Sequence, residues 1–183
     1  MISSGLAIGV ATRTGSAVMV ALTGTATAPR FAGRWDVNLA SEPLPVQPYH
    51  AAAGMDREAA EHLVTQVEQA AEDAAAAALE SAVGMLPEQA VTGVAVVVKA
   101  VSVSPDVMRV LRSHAAMHAA EGVLYREAVL GAARLRGWPA HAVDESALPA
   151  ADDKLVALGR VAGRPWRRIE KDAARAAIAV LPT

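Results

Sequence analysis

The sequence predicts an α/β fold in which a mixed five-stranded sheet carries packed helices, in the order β-β-β-α-β-α-β-α. Three observations lead there. Two short β-branched runs near the start are split by a turn signal, residues 91–98 form a near-continuous apolar run with β-branched residues on both parities, and long helical patterns alternate with the later strands. A strand apolar on both faces is one covered on both sides, which antiparallel sheets open to water do not contain.

Residues 5–11 and 17–22 read as a hairpin around Thr14-Gly15-Ser16. A third strand is predicted over residues 30–39, where Phe31, Trp35, Val37 and Leu39 share a parity and so a face. The prolines at 43, 45 and 48 then predict an extended, helix-free loop that ends in Tyr49-His50. Asp56 supplies an N-cap, Glu58 and Glu61 suit the positive end of a helix dipole, and the helix is expected to run to Leu86, before Pro87. Its predicted buried stripe is Leu63, Val67, Ala71, Ala74, Ala78 and Val83 or Leu86. Residues 91–98 are expected at the sheet's centre. Ser104-Pro105-Asp106 predicts a helix capped by Ser104 and running to about Arg136, with Gly137 as its stop. A short strand at 140–143, a helical segment at 152–161 and a last helix at 166–181 complete the chain.

Composition narrows the function classes. With 183 residues the chain is of one-domain size, 1–183, and its 53% hydrophobic but only 3% aromatic content predicts a core of Ala, Val and Leu. The absence of cysteine excludes disulfides and thiolate chemistry and suits a cytoplasmic location. A net charge of −2 gives no global field toward nucleic acid or anionic membrane. The apolar stretch 1–22 is interrupted by Arg13 and reads as core strands, so no membrane association is expected. Gly5, Gly9 and Gly15 do not make the dinucleotide fingerprint, which needs its glycines in a turn between strand and helix whereas here strand follows strand, and Ser3, Ser4 and Ser16 lack a nucleophile-elbow context.

Ile8-Gly9-Val10-Ala11, followed by Gly15 and a second strand, together with the stretch 170–179, resembles the ribonuclease H-like superfamily, and within it the Holliday-junction resolvases. The resemblance implies three antiparallel strands followed by alternating helices and parallel strands. It also implies carboxylates that hold two magnesium ions. Ala11 stands where the first-strand acid belongs, and the strand 91–98 leads into Lys99-Ala100-Val101-Ser102 with no acid. Only Glu170 and Asp172, on the last helix, remain as metal-ligand candidates at positions the resemblance picks out. The expectation is a domain that has lost the usual nuclease mechanism.

The most informative local pattern is His114, His118, Glu121 and Tyr125. At about 100° per residue these four share a narrow sector of one helix and interrupt its apolar face. One reading makes His114 and Glu121 catalytic acid–base groups and His118 a ligand of a divalent metal ion, with Tyr125 in the pocket and His50 joining from the proline-rich loop. The other makes them a hydrogen-bonded network that sets helix register. Arg164, Arg167 and Arg168, around Pro165-Trp166, are candidates for contact with nucleic acid, or else a solvated helix entry relieved by Glu170 and Asp172. The alanine-rich helices predict close packing against a second copy, a homo-oligomer.

Overall fold

The computed structural model describes residues 5–86 and 90–183. Ser3, Ser4 and Pro87 lie outside them. The elements are β1 (Gly5–Arg13), β2 (Ser16–Gly24), β3 (Pro29–Asn38), α1 (Pro48–Ala51), α2 (Arg57–Gly84), β4 (Val91–Val98), α3 (Val107–Val110), α4 (His114–Leu135), β5 (Ala140–Asp144), a single 3₁₀ turn (Glu145–Ala147), α5 (Asp153–Ala162) and α6 (Arg168–Val180).

The five strands form one mixed sheet in the order β3-β2-β1-β4-β5. β1 pairs antiparallel with β2 and β2 with β3, while β1–β4 and β4–β5 are parallel. The hairpin closes through Thr14 and Gly15, with Ser16 already paired to Arg13; Gly15 takes φ of 76°, which a side chain would strain. The middle strand is β1, not β4, because β1 alone has both an antiparallel and a parallel partner. Leu6, Ile8 and Val10 point to the layer of α2 and α4; Ala7 and Ala11 point to α5 and α6. At Gly9 an added Cβ would lie 1.8 Å from the Ala173 carbonyl oxygen, so glycine lets α6 lie directly on the sheet.

In β3 the pairing skips from Ala21–Gly33 to Leu22–Phe31, a bulge that leaves Ala32 extra. The predicted shared face therefore divides. Phe31 packs on the α6 side, whereas Trp35, Val37 and Leu39 pack on the α2 side. The bulge changes the parity that simple alternation assumes.

One loop prediction and one helix prediction are corrected. Pro48 occupies the first turn of α1, a place where its missing N–H costs nothing, so the proline-rich segment ends in a short helix. The helix expected from Ser104 to Arg136 is two helices. Asp106, not Ser104, caps α3 by accepting from Met108 N–H, and Ser113, in extended conformation, caps α4 by accepting from Ala116 N–H. In α2 the buried stripe is Ala60, Val64, Val67, Ala71, Ala75, Leu79 and Ala82, with Leu63, Ala74 and Ala78 along its flank. Small residues bring α2 close to α4: a Cβ on Gly131 would lie 2.3 Å from Glu72 Oε1. Among the described residues no helix is long and apolar enough to cross a membrane.

Candidate metal centre

Because Ser113 starts α4 at His114, the histidines of α4 occupy its first two turns, on the face that turns toward α1. From α1 comes His50. His50 Nε2 lies 3.2 Å from His114 Nδ1, and His118 Nε2 lies 3.0 Å from His114 Nε2. The ring centroids are 4.5 to 4.9 Å apart. One ligand nitrogen from each ring falls within 4.8 Å of the other two.

Behind the imidazoles is Glu121, fully buried. Its Oε1 accepts from His50 Nδ1 at 2.8 Å and from the His50 backbone N–H at 3.3 Å, and its Oε2 accepts from Gln47 Nε2 at 3.4 Å. Oε2 also faces His118 Nδ1 at 3.9 Å. A carboxylate behind Nδ1 draws the imidazole proton to that atom and leaves the Nε2 lone pair free to face a cation. Glu121, expected among the catalytic groups, is fully buried behind the rings, while His114 and His118 are exposed.

Tyr125, one turn on, donates its hydroxyl to the Val46 carbonyl at 2.7 Å and so ties the proline-rich loop to α4. Burial, with Glu121 adding to it, pushes the Tyr125 phenol up to about 12. Tyr49 is pushed to about 12 by burial first and then by Glu68 and Glu121. Both phenols stay neutral at physiological pH; Tyr125 serves as a donor and Tyr49 packs in the core. His118 and His114 are exposed and His50 half-buried, so the open side of the cluster admits water or a small ligand.

The place the resemblance assigns to nuclease carboxylates is a separate cleft of about 490 Å³, where the C-terminal ends of β1 and β4 meet α4 and α6. Ala11, Val98 and Asp172 line it. Asp172 is held at 3.4 Å by Arg168 and at 3.0 Å by Arg175. Glu170 does not reach the cleft. It is fully buried and accepts from the Arg167 backbone N–H at 2.7 Å, closing the N-terminus of α6. Burial opposes ionisation of Glu170, but the N–H groups of Glu170 and Arg167 and the Arg167 guanidinium outweigh it and hold its carboxyl below the ordinary value. Both acids are engaged by neighbouring arginine residues. Of the arginines marked for nucleic acid, Arg167 and Arg168 line the cleft; Arg164 lies outside its lining, its carbonyl accepting from Arg34. Sequence reasoning did not single out Gln47 for the histidine cluster, nor Lys99 or Arg126 for this cleft.

No protein-family profile matches the chain, and no curated protein sequence matches it. Solved structures do match: Thermus thermophilus RuvC in complex with a Holliday-junction substrate, at 15% identity and TM-score 0.54, over 95% of this chain and 90% of that one. A second T. thermophilus RuvC structure matches at 15% identity and TM-score 0.53, over 94% and 91%. At this identity the likeness is one of fold, and together with the sheet order it establishes that the chain has the ribonuclease H-like fold in the form seen in RuvC.

Proposed function

We propose that this chain is a ribonuclease H-like domain diverged from the two-magnesium nucleases, whose chemistry has moved to a single divalent transition-metal site at His50, His114 and His118. The observation that carries the reading is the convergence of three imidazole nitrogens with a buried carboxylate behind two of the rings. Imidazole ligands suit zinc, nickel, copper or iron rather than magnesium. Three protein ligands with an open side are the donor set of catalytic rather than structural zinc.

A bound ion of that kind would supply an acidified water for hydrolysis. The chain's own part is to hold the ligands. Glu121 fixes the tautomer of His50, Gln47 and the His50 N–H hold Glu121 in turn, and Tyr125 anchors the loop that delivers His50. Among the described residues, Glu121 is the one carboxylate within 4.0 Å of a ring nitrogen of the cluster.

The test is metal content and melting. Zinc, cobalt, nickel or manganese should raise the melting temperature of the wild type, by about 3 kcal/mol of added stability at a hundredfold excess over Kd, and His118→Ala should lose that rise. Zinc-loaded wild type should also hydrolyse an activated p-nitrophenyl ester faster than His118→Ala does. A melting curve indifferent to all four ions, with no metal by elemental analysis, would leave the cluster as a network that sets helix register.

A second reading, a non-catalytic nucleic-acid-binding module, draws support from the cationic cleft flanked by Arg167 and Arg168 and from the fold shared with a protein solved on a Holliday junction. It predicts DNA binding that falls steeply with salt. Self-association, the homo-oligomer suggested by the alanine-rich helices, is read by sedimentation.

A further inference from the structure

The cleft at the ends of β1 and β4 has the opposite charge to the one a two-cation nuclease needs. Its lining carries Arg13, Lys99, Arg126, Arg167 and Arg168 against only Glu145 and Asp172. Both acids are already engaged. Glu145 meets Arg168 and lies 3.5 Å from Lys99, and Asp172 is shared by Arg168 and Arg175, the latter outside the lining. Arg167 pairs with Glu170 at 3.3 Å. Two cations of the lining, Arg13 and Arg126, have no carboxylate within 4.0 Å among the described residues.

Arg126 is the more telling of the two. Its side chain is half-buried, and its Nε and Nη1 donate to the carbonyls of Gly122, at 2.7 Å, and Lys99, at 3.3 Å. These bonds fix the guanidinium in place without neutralising it, and burial pushes its pKa down, against the opposing charge of Glu127. Gly122 helps to make the room: a Cβ there would lie 3.3 Å from Arg126 Nη2. A desolvated guanidinium held by carbonyls beside an open cleft lacks only an anion.

We infer that this cleft binds a phosphate-type oxyanion directly through Arg126 and Arg13, with no bridging divalent cation. The planar fork of arginine matches two oxygens of such a group, which a lysine ammonium does not. Gly122 lies one turn beyond His118 on α4, about 6 Å along the helix axis, so the anion site and the histidine cluster flank the same end of that helix. The chemistry is shared by a small phosphorylated molecule and by a nucleic-acid backbone, and the two sources separate in the test.

Inorganic phosphate, adenosine monophosphate and a single-stranded oligonucleotide are each titrated into the purified protein by calorimetry, with the melting temperature as a second readout. At least one should bind. Arg126→Ala and Arg13→Ala should each weaken that binding about tenfold. Arg13 is exposed, so its variant tests the site without risk to folding, and Arg126→Lys should recover little because the fork is lost. Tighter binding of the monophosphate than of the oligonucleotide assigns the site to a small ligand, and the reverse order to a nucleic-acid strand. His118→Ala should bind the anion as wild type does, which separates failure here from failure of the metal centre. Indifference of the wild type to all three probes, or full binding by both Arg126→Ala and Arg13→Ala, would overturn the inference.

Discussion

The two ends of the α1–α4 and β1–β4–α6 region treat their charged groups in opposite ways. At the histidine cluster a single carboxylate, Glu121, is buried and accepts from the His50 ring, the His50 N–H and Gln47. At the cleft the carboxylates lie nearer the surface and are already bridged by arginines, while the cations outnumber them. The first arrangement sets imidazole nitrogens in front of one carboxylate; the second leaves positive charge facing the open cleft. At the strand ends, where the resemblance implies metal-holding carboxylates, the lining of this cleft carries more cations than acids.

The largest effect that would break this comparison is at Glu121. Glu121→Ala orphans the His50 N–H, the His50 ring and Gln47 at once, and should cost about 3 kcal/mol of stability by chemical denaturation. Glu121→Gln keeps the shape but not the charge. It should lose less stability yet weaken metal binding roughly 10- to 100-fold, and retention of full affinity would show that the carboxylate does not tune the histidines.

A smaller effect sharpens the account of the acids near the cleft. Glu170 has its folded pKa below the ordinary carboxylate value of 4.5, so its contribution is fully present above that value and is lost as pH falls through the lower, folded one. Glu170→Gln should remove this acid-side loss from the pH dependence of the melting temperature and cost about 1 kcal/mol at neutral pH. An unchanged acid limb would mean that Glu170 is not the group responsible.

The smallest expected effect is none at all. Neither the wild type nor Ala11→Asp should cleave Holliday junctions or RNA–DNA hybrids with magnesium or manganese, since one restored carboxylate still faces an Asp172 held by two arginines. Gel assays showing metal-dependent cleavage by the wild type, lost in Asp172→Asn, would return this chain to the nucleases.

Much of the architecture was legible because its signals are local. The hairpin glycine, the doubly apolar β4 and the i, i+4 histidines each announce themselves within a few residues. His50 was legible as a partner because the prolines before it make a rigid approach. The rest depends on contacts distant in sequence. Ala32 looks like any strand residue until β2 pairs around it, and Ser113 competes as a cap with Ser104 and Asp106, a contest that tertiary packing decides. Gln47 and Arg126 carry no pattern of their own; each matters only for what folding places beside it.

The four residues of α1 are too few to sustain a helix alone, and they are fastened to α4 through the Val46 carbonyl and the His50 amide. Such a segment opens more readily than the sheet beneath it. Hydrogen exchange at the His50 amide should then be governed by local detachment rather than by global unfolding. Any ion gripped by all three imidazoles would act as a rivet, slowing that one amide far more than those of β1.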